Sequence, residues 1–111
     1  MAEISEPEAR VYPRKAFSCP AKLVVGEQAP LDVETIDISL GGACLLVSRQ
    51  VNYGEFCVIR FNTEINGTTR AFTAVAKAVY GSAIGNGSFR IGFQFFRVDD
   101  ANIAIVQALV A

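Results

Sequence analysis

The sequence predicts an all-β fold with one C-terminal helix, in which six strands form an antiparallel β-barrel. Three observations favour this fold. Apolar and polar residues alternate from Ala16 onward, Asn-Gly pairs interrupt the alternation, and only the last segment has helical spacing. The chain has 111 residues, 51% of them hydrophobic and 19% charged, which suits one globular domain. Closing the six strands into a barrel would leave no unpaired sheet edge.

The six predicted strands follow one another with short turns between them. Residues 66–67 and 86–87 are both Asn-Gly, the pair most typical of a tight hairpin, because both turn residues must adopt positive φ. Gly92 lies inside the last strand and predicts either a sharp bend or a close approach of another group to the backbone. The predicted strands cover residues 16–25, 31–37, 43–47, 56–61, 69–80 and 89–96.

The last segment is predicted to be a helix over about residues 99–110. Asp99 or Asp100 is a suitable N-cap, and Ile103, Val106 and Val110 recur at i, i+3 and i+7. A helix of this length is not stable alone, so we expect it to pack against the sheet at one end of the barrel.

Composition excludes several classes of protein. The net charge of −1 and the pI near 5.3 do not suit a general nucleic-acid binder, which usually carries a basic stripe. No apolar run approaches the about 18 residues that span a bilayer, so no membrane insertion is predicted. The acidic, polar first residues do not resemble a signal peptide, and a cytoplasmic location is therefore expected. Cys19, Cys44 and Cys57 lack metal-site spacing and are predicted to be free thiols.

Enzyme signatures are missing from the sequence. The chain has no histidine, the commonest general base and metal ligand. It also has no Gly-rich phosphate loop and no Gly-x-Ser-x-Gly elbow. We therefore expect no catalytic residues, no metal site, no cofactor and no enzymatic activity.

Two arginines form the first candidate binding motif. Arg10 and Arg14 lie four positions apart in residues 1–14, which we predict to be a flexible N-terminal arm ahead of a barrel domain over residues 15–111. Pro13, which lies between the two arginines, disfavours helix in this segment. A guanidinium group can pair with phosphate, bind guanine O6 and N7, or stack on a base. The alternative is a solvated basic cluster that offsets the acidic residues of the arm.

The loop after the second predicted strand holds the other candidate motif. The carboxylate of Asp37 can accept hydrogen bonds from the Watson–Crick edge of guanine, and Ser39 can donate or accept. Gly41 and Gly42 permit positive φ and the approach of a ligand to bare backbone. Taken in isolation, this segment is equally typical of an ordinary turn.

Taken together, the two motifs resemble those of the PilZ domain family. Arg10 and Arg14 match the family's Arg-x-x-x-Arg, and its Asp/Asn-x-Ser-x-x-Gly is matched by Asp37, Ser39 and Gly42. The FRIGFQFF segment and the final helix are also similar to the end of the family's fold, so the resemblance covers nearly the whole chain.

The resemblance implies a six-stranded barrel that binds cyclic di-GMP (c-di-GMP), a bacterial second messenger. Arg10 and Arg14 would clamp phosphate and guanine, and Asp37 and Ser39 would recognise a guanine. Gly42 would leave room for the ligand. Many family members carry a further arginine where this chain has Ala9, a departure that bears on whether the ligand binds as a monomer or as a stacked dimer. Secondary ligand contacts are expected at Ala9, Lys15, Gly41 and Gly92.

The function predicted from this resemblance is that of a c-di-GMP receptor. Ligand binding would order the arm on the barrel and change the surface offered to an unidentified downstream protein. Motility, surface polysaccharide and adhesion are the typical outputs of the family. Two alternatives remain open: a ligand-independent protein-interaction adaptor of the same fold, and a small barrel that binds single-stranded nucleic acid. The acidic net charge and the core-like positions of the aromatic residues disfavour the second alternative.

Overall fold

The computed structural model describes residues 12–111, and the prediction of a mobile arm falls largely on residues 1–11, outside the described residues. The division into an arm at 1–14 and a barrel domain at 15–111 therefore stays a prediction. Within the described part, the strands are β1 (Lys15–Ala16), β2 (Pro20–Val25), β3 (Leu31–Ile38), β4 (Gly42–Val47), β5 (Phe56–Ile65), β6 (Thr68–Gly85) and β7 (Ser88–Arg97), and the helix is α1 (Asp100–Val110).

Six of these strands close into the predicted antiparallel barrel. Around the barrel the strand order is β3-β2-β5-β6-β7-β4, and β4 pairs back onto β3. Every neighbouring pair is antiparallel. The short β1 is an additional strand that pairs only with the end of β3 among the described residues. The six-stranded barrel and the all-β class with one C-terminal helix are confirmed.

The first predicted strand is divided in the structure. Residues 16–25 were expected to form one strand, but the ladder is irregular between β1 and β2. There the Phe17 amide donates to the Ile36 carbonyl at 3.0 Å, and the Thr35 amide donates to the Cys19 carbonyl at 2.9 Å. Between Ala16 and Pro20 the register against β3 shifts by one residue, and β3 also bulges against β4 between Thr35 and Asp37. As a result, the chain just before β1 lies beside the end of β3.

Both Asn-Gly turns are confirmed. Asn66 and Gly67 have φ angles of 54° and 80°, and Asn86 and Gly87 have φ angles of 55° and 74°. Positive φ at both central residues is typical of the hairpin turn that matches the twist of the flanking strands. The strands next to these turns, β5 and β6, are longer than predicted. Their ends are largely exposed and show no hydrophobic alternation, so the sequence pattern did not reveal them.

The helix begins where it was predicted but presents a different face to the core. Asp99 is the N-cap, and its carboxylate accepts from the Asn102 amide at 3.0 Å. Ile105 and Val106 are buried, whereas Ile103 is 37% exposed, so the prediction that Ile103 belongs to the buried face is wrong. The reason is Asn102, which is buried and whose Oδ1 accepts from the backbone amide of Thr73 at 2.9 Å. This bond fixes the rotation of the helix against β3, β5 and β6.

The core is filled by inward-facing side chains of all six barrel strands and by the helix. At its centre, the rings of Phe61 and Phe72 stack with their centroids 4.6 Å apart. The three cysteines are free thiols; Cys44 and Cys57 are buried and Cys19 is partly exposed. Between residues 12 and 111, no helix has the length and apolar character needed to cross a membrane.

Candidate ligand-binding site

The two predicted motifs meet at the end of β3. Arg14 Nη1 lies 3.7 Å from Asp37 Oδ2, and the two side chains are 27% and 15% exposed. The register of β1 brings them together, because Lys15 pairs with Ile38 and Ala16 pairs with Asp37. The chain that carries Arg14 is therefore tied to the strand that carries its partner. We call this region, formed by Arg14, Asp37, Ser39, Gly42 and Tyr80, the corner site.

Tyr80 is a member of the corner site that the sequence did not predict. Its hydroxyl oxygen accepts a hydrogen bond from Arg14 Nη2 at 3.0 Å, and the guanidinium carbon lies 5.9 Å from the ring centroid. β6 bulges between Ala78 and Tyr80, which sets the position of the ring. Burial, more than any neighbouring charge, raises the pKa of Tyr80 to about 12, so the hydroxyl is neutral at physiological pH.

The absence of a side chain at Gly92 leaves the space that the Tyr80 ring occupies. Gly92 pairs with Tyr80 on β6 and with Cys44 on β4. A Cβ atom at Gly92 would lie 2.1 Å from Cε2 and Cζ of the Tyr80 ring. The predicted close approach to the backbone is thus made by Tyr80, and the expected contact of Gly92 with a ligand stays a prediction. Gly92 was the one signal in the sequence that could have led to Tyr80.

The side chain of Ser39 points into its own loop and forms hydrogen bonds there. The residue is buried, and its hydroxyl oxygen accepts hydrogen bonds from the amides of Gly41 at 3.1 Å and Gly42 at 3.2 Å. The Ser39 amide in turn donates to the Gly42 carbonyl at 2.8 Å. This is a side-chain turn of the kind that serine favours between strands. The role of Ser39 in guanine recognition stays a prediction, and it would require this loop to rearrange.

Gly42 is required by the barrel itself. A Cβ atom there would lie 2.0 Å from the carbonyl oxygen of Phe93 on β7. Neither Gly41 nor Gly42 adopts positive φ. The carbonyl of Gly41 accepts from the Phe95 amide at 2.9 Å, which joins the loop to β7. The structure therefore explains Gly42 by the close approach of two backbones, whereas room for a ligand was the reason expected from the resemblance.

The electrostatics of the corner site favour an anionic ligand. Burial raises the pKa of Asp37, and the positive charges of Arg14 and Arg90 partly oppose that rise. Arg90 is an exposed residue of β7 that the sequence did not assign to the site. Beneath it lies Cys44, whose thiol pKa is also raised by burial. Among residues 12–111, one carboxylate faces two guanidinium groups at this site, which is a local excess of positive charge in a chain of net charge −1.

The space enclosed by the corner site is small. It measures about 20 Å³, room for roughly one water molecule. A ligand the size of a dinucleotide must therefore lie on the outer surface of the barrel, and it must move Arg14 to reach Asp37. The lining residues are Arg14, Asp37, Ser39, Gly42, Ala43, Val79, Tyr80 and Phe93.

The remaining predicted residues are not part of this geometry. Arg10 and Ala9 lie outside the described residues. Lys15 is exposed, and its Nζ donates to the backbone carbonyl oxygen of Ala111 at 2.9 Å. The structure thus directs Lys15 towards the C-terminal residue, and its contact with a ligand stays a prediction.

Comparison with protein families identifies the fold. The family model described as the PilZ domain matches residues 8–111, which is nearly the whole chain. The chain belongs to the PilZ domain family. This confirms the resemblance inferred from the two motifs.

Three solved structures share the fold of this PilZ domain. The inhibitor of motility MotI/DgrA of Bacillus subtilis has a TM-score of 0.76 at 14% identity, covering 89% of this chain and 48% of that one. This chain thus spans about half the length of MotI/DgrA. The PilZ domain of YcgR from Escherichia coli, solved with c-di-GMP, has a TM-score of 0.69 at 20% identity, covering 89% and 86% of the two chains.

The third structure is the PilZ domain of CeSA from a cellulose-synthesizing bacterium. Its TM-score is 0.60 at 20% identity, with 87% of this chain and 93% of that chain covered. At these identities the likeness establishes the fold. No significant match was found among curated proteins.

Proposed function

We propose that this PilZ domain is a receptor for c-di-GMP that binds its ligand over the corner site. The observation that carries the proposal is the contact between Arg14 and Asp37, 3.7 Å apart, which brings one residue from each family motif to the same surface. The structural neighbour YcgR, whose PilZ domain was solved with c-di-GMP, supports the same ligand.

The chemistry of the ligand suits these groups. c-di-GMP carries two phosphates and two guanine bases. The guanidinium of Arg14 can pair with a phosphate or with O6 and N7 of guanine, and Arg10 would supply a second guanidinium. The Asp37 carboxylate can accept hydrogen bonds from the N–H groups of a guanine. Each good bidentate arginine–guanine pair is worth roughly 1–3 kcal/mol of discrimination.

Binding would require Arg14 to exchange partners. It would leave Asp37 and the Tyr80 hydroxyl and turn to the ligand, and the freed carboxylate would turn to a guanine. Breaking the present ion pair costs little because both groups are partly exposed. The exchange would draw the preceding arm onto the barrel and change the surface that a downstream protein meets. We place this event in the cytoplasm of a bacterium, with a protein and not a nucleic acid as the partner.

A calorimetric titration with c-di-GMP tests the proposal. The wild-type chain is expected to bind, and Arg14→Ala should weaken binding at least tenfold because it removes a charged contact with the ligand. Arg70→Ala is the matched control: Arg70 is an exposed arginine near the hairpin between β5 and β6, and its loss should leave the affinity unchanged. Absence of heat with wild type at high micromolar ligand would reject the receptor function.

A second candidate, a ligand-independent adaptor of the same fold, is favoured by one observation. The Ser39 hydroxyl is buried and bonded to its own loop, so the loop is stable without a ligand. An adaptor would bind its partner with the same affinity in the presence and absence of c-di-GMP.

A further inference from the structure

The outside of the barrel is apolar where β2, β5 and β6 run side by side. Val24 pairs with Val58, and Val58 pairs with Val75. The residues that alternate with these valines, such as Ile59 and Ala76, are buried in the core, so the valines point outward. All three remain partly exposed. An outward sheet face in water is normally polar, and this row is not.

Two exposed aromatic rings extend this apolar row. Phe56 lies two residues before Val58 on the same outward face of β5 and is 46% exposed. Phe96 lies at a register shift of β7 and is 59% exposed. Their rings meet edge to face with centroids 5.0 Å apart. Phenylalanine is among the residue types that are enriched at protein interfaces relative to the rest of the surface.

Three cations surround the apolar row. Lys77 pairs with Phe56, Arg97 pairs with Val75, and Arg60 lies one outward position further along β5. The Arg97 guanidinium carbon lies 5.8 Å from the centroid of the Phe96 ring. Within residues 12–111, none of these three cations has a carboxylate within 4 Å, whereas the neighbouring Lys22 is paired with Asp32. We call this surface the outer face; it consists of Val24, Phe56, Val58, Val75, Phe96, Arg60, Lys77 and Arg97.

We propose that the outer face docks a partner protein that presents carboxylates around an apolar side chain. The valines and phenylalanines would bury the apolar group, and the cations at the rim would pair with the carboxylates. Arginine and phenylalanine, which the outer face combines, are both enriched at protein interfaces relative to the rest of the surface. The docking surface is present without any ligand, so this inference goes beyond the receptor function and can be tested apart from it.

Charge distinguishes this partner from two other occupants. A second copy of the chain, docked by two-fold symmetry through the same face, would bring the three cations against one another. An anionic membrane usually selects clusters of four to eight basic residues, and the outer face has three in a chain of net charge −1. A protein surface with local negative charge is the occupant that these residues match.

The outer face is connected to the corner site across β6 and β7. Lys77 pairs with Gln94, and Gln94 pairs with Gly42. Phe96 lies four residues after Gly92, about 13 Å along β7 at the usual strand rise. A partner that contacts Lys77 and Phe96 would therefore lie next to the strands that also carry part of the corner site.

Photo-crosslinking in cells that produce the full chain tests the docking proposal. A photo-reactive phenylalanine derivative at position 58 should form a cross-link to one protein, and the same group at position 69, far along β6, should not. The double variant Arg60→Glu and Arg97→Glu should lower the yield of the cross-link at position 58 at least tenfold. The control variant Arg70→Glu should leave that yield unchanged. The cross-linked segment of the partner should contain carboxylates, and their replacement by lysine should restore the yield with the doubly reversed chain.

Several results would overturn the proposal. One is a cross-link yield at position 58 that survives the double charge reversal, and another is the absence of any cross-link there. A cross-link between two copies of the chain would also overturn it. So would co-flotation of the purified chain with phosphatidylglycerol vesicles, if the double variant no longer co-floats. Circular dichroism should show that the double variant is folded. Its c-di-GMP titration should match wild type, so failure of the receptor function and failure of docking give different results.

Discussion

The corner site and the outer face both lie on the outside of the barrel, yet they hold their charges in opposite ways. In the corner site the guanidinium of Arg14 already contacts Asp37 and Tyr80. On the outer face, Arg60 and Arg97 have no carboxylate within 4 Å among residues 12–111. The corner site is also built into the backbone through Gly42 and Gly92, whereas the outer face consists of side chains alone. A site whose charges are paired with each other must exchange partners to bind. A face whose cations have no carboxylate partner within residues 12–111 can bind without such an exchange.

If the corner site is built into the backbone, the largest loss of stability at this site is expected from Gly42→Ala. The new Cβ would lie 2.0 Å from the Phe93 carbonyl oxygen, so β4 and β7 must separate where they pair. We expect a loss of roughly 3 kcal/mol in the free energy of unfolding, measured by urea denaturation. Gly81→Ala is the control, because its Cβ would meet Ile91 Cγ1 at an ordinary 3.5 Å, and it should change stability by less than about 0.5 kcal/mol. Equal stability of the two variants would mean that the close contact at Gly42 does not help to hold β4 and β7 together.

A smaller effect is expected on the outer face. Phe96→Ala removes an exposed ring and its edge-to-face contact with Phe56, and it should cost about 1 kcal/mol or less. Phe72→Ala, which removes a buried ring from the core, should cost roughly 3–5 kcal/mol under the same denaturation. If Phe96→Ala were as destabilising as Phe72→Ala, the outer face would be part of the core and not a docking surface.

The smallest effect concerns the titration of Asp37. Because burial raises its pKa in the folded state, the folded chain holds this proton more tightly than the unfolded chain does. The stability that this difference contributes is present below about pH 4 and is lost as pH rises through the raised pKa. Asp37→Asn cannot ionise, so its stability relative to wild type should increase from pH 3 to pH 7. Thermal unfolding of both chains across this range gives the difference, and a change in the opposite direction would mean that the Arg14 contact outweighs burial.

Much of the barrel could be predicted because its signals are local. Alternating apolar residues define the strands, and each Asn-Gly pair supplies the two positive φ angles that a tight hairpin needs. The meeting of Arg14 with Asp37 was also expected, since the two family motifs occur in one chain. These features depend on neighbouring residues or on motifs of fixed spacing, and the sequence displays both directly.

The parts that could not be predicted depend on long-range register. β6 and β7 shift register at three places, and each shift of one residue changes which side chains share a face. The positions of Tyr80 and Arg90 beside Asp37 follow from those shifts, and only Gly92 indicated a close approach. The buried face of the helix depended on a single polar residue, because the bond from Thr73 to Asn102 turned Ile103 towards solvent. Apolar spacing alone does not reveal such a bond.

The two-residue strand β1 bears on the free energy available for binding. By pairing Lys15 with Ile38 and Ala16 with Asp37, it anchors the chain immediately after Arg14. Folding therefore removes much of the conformational entropy of this backbone before any ligand arrives. An arginine on an anchored backbone loses less freedom on binding than one at the tip of a long free segment, so the same contacts can give a higher affinity.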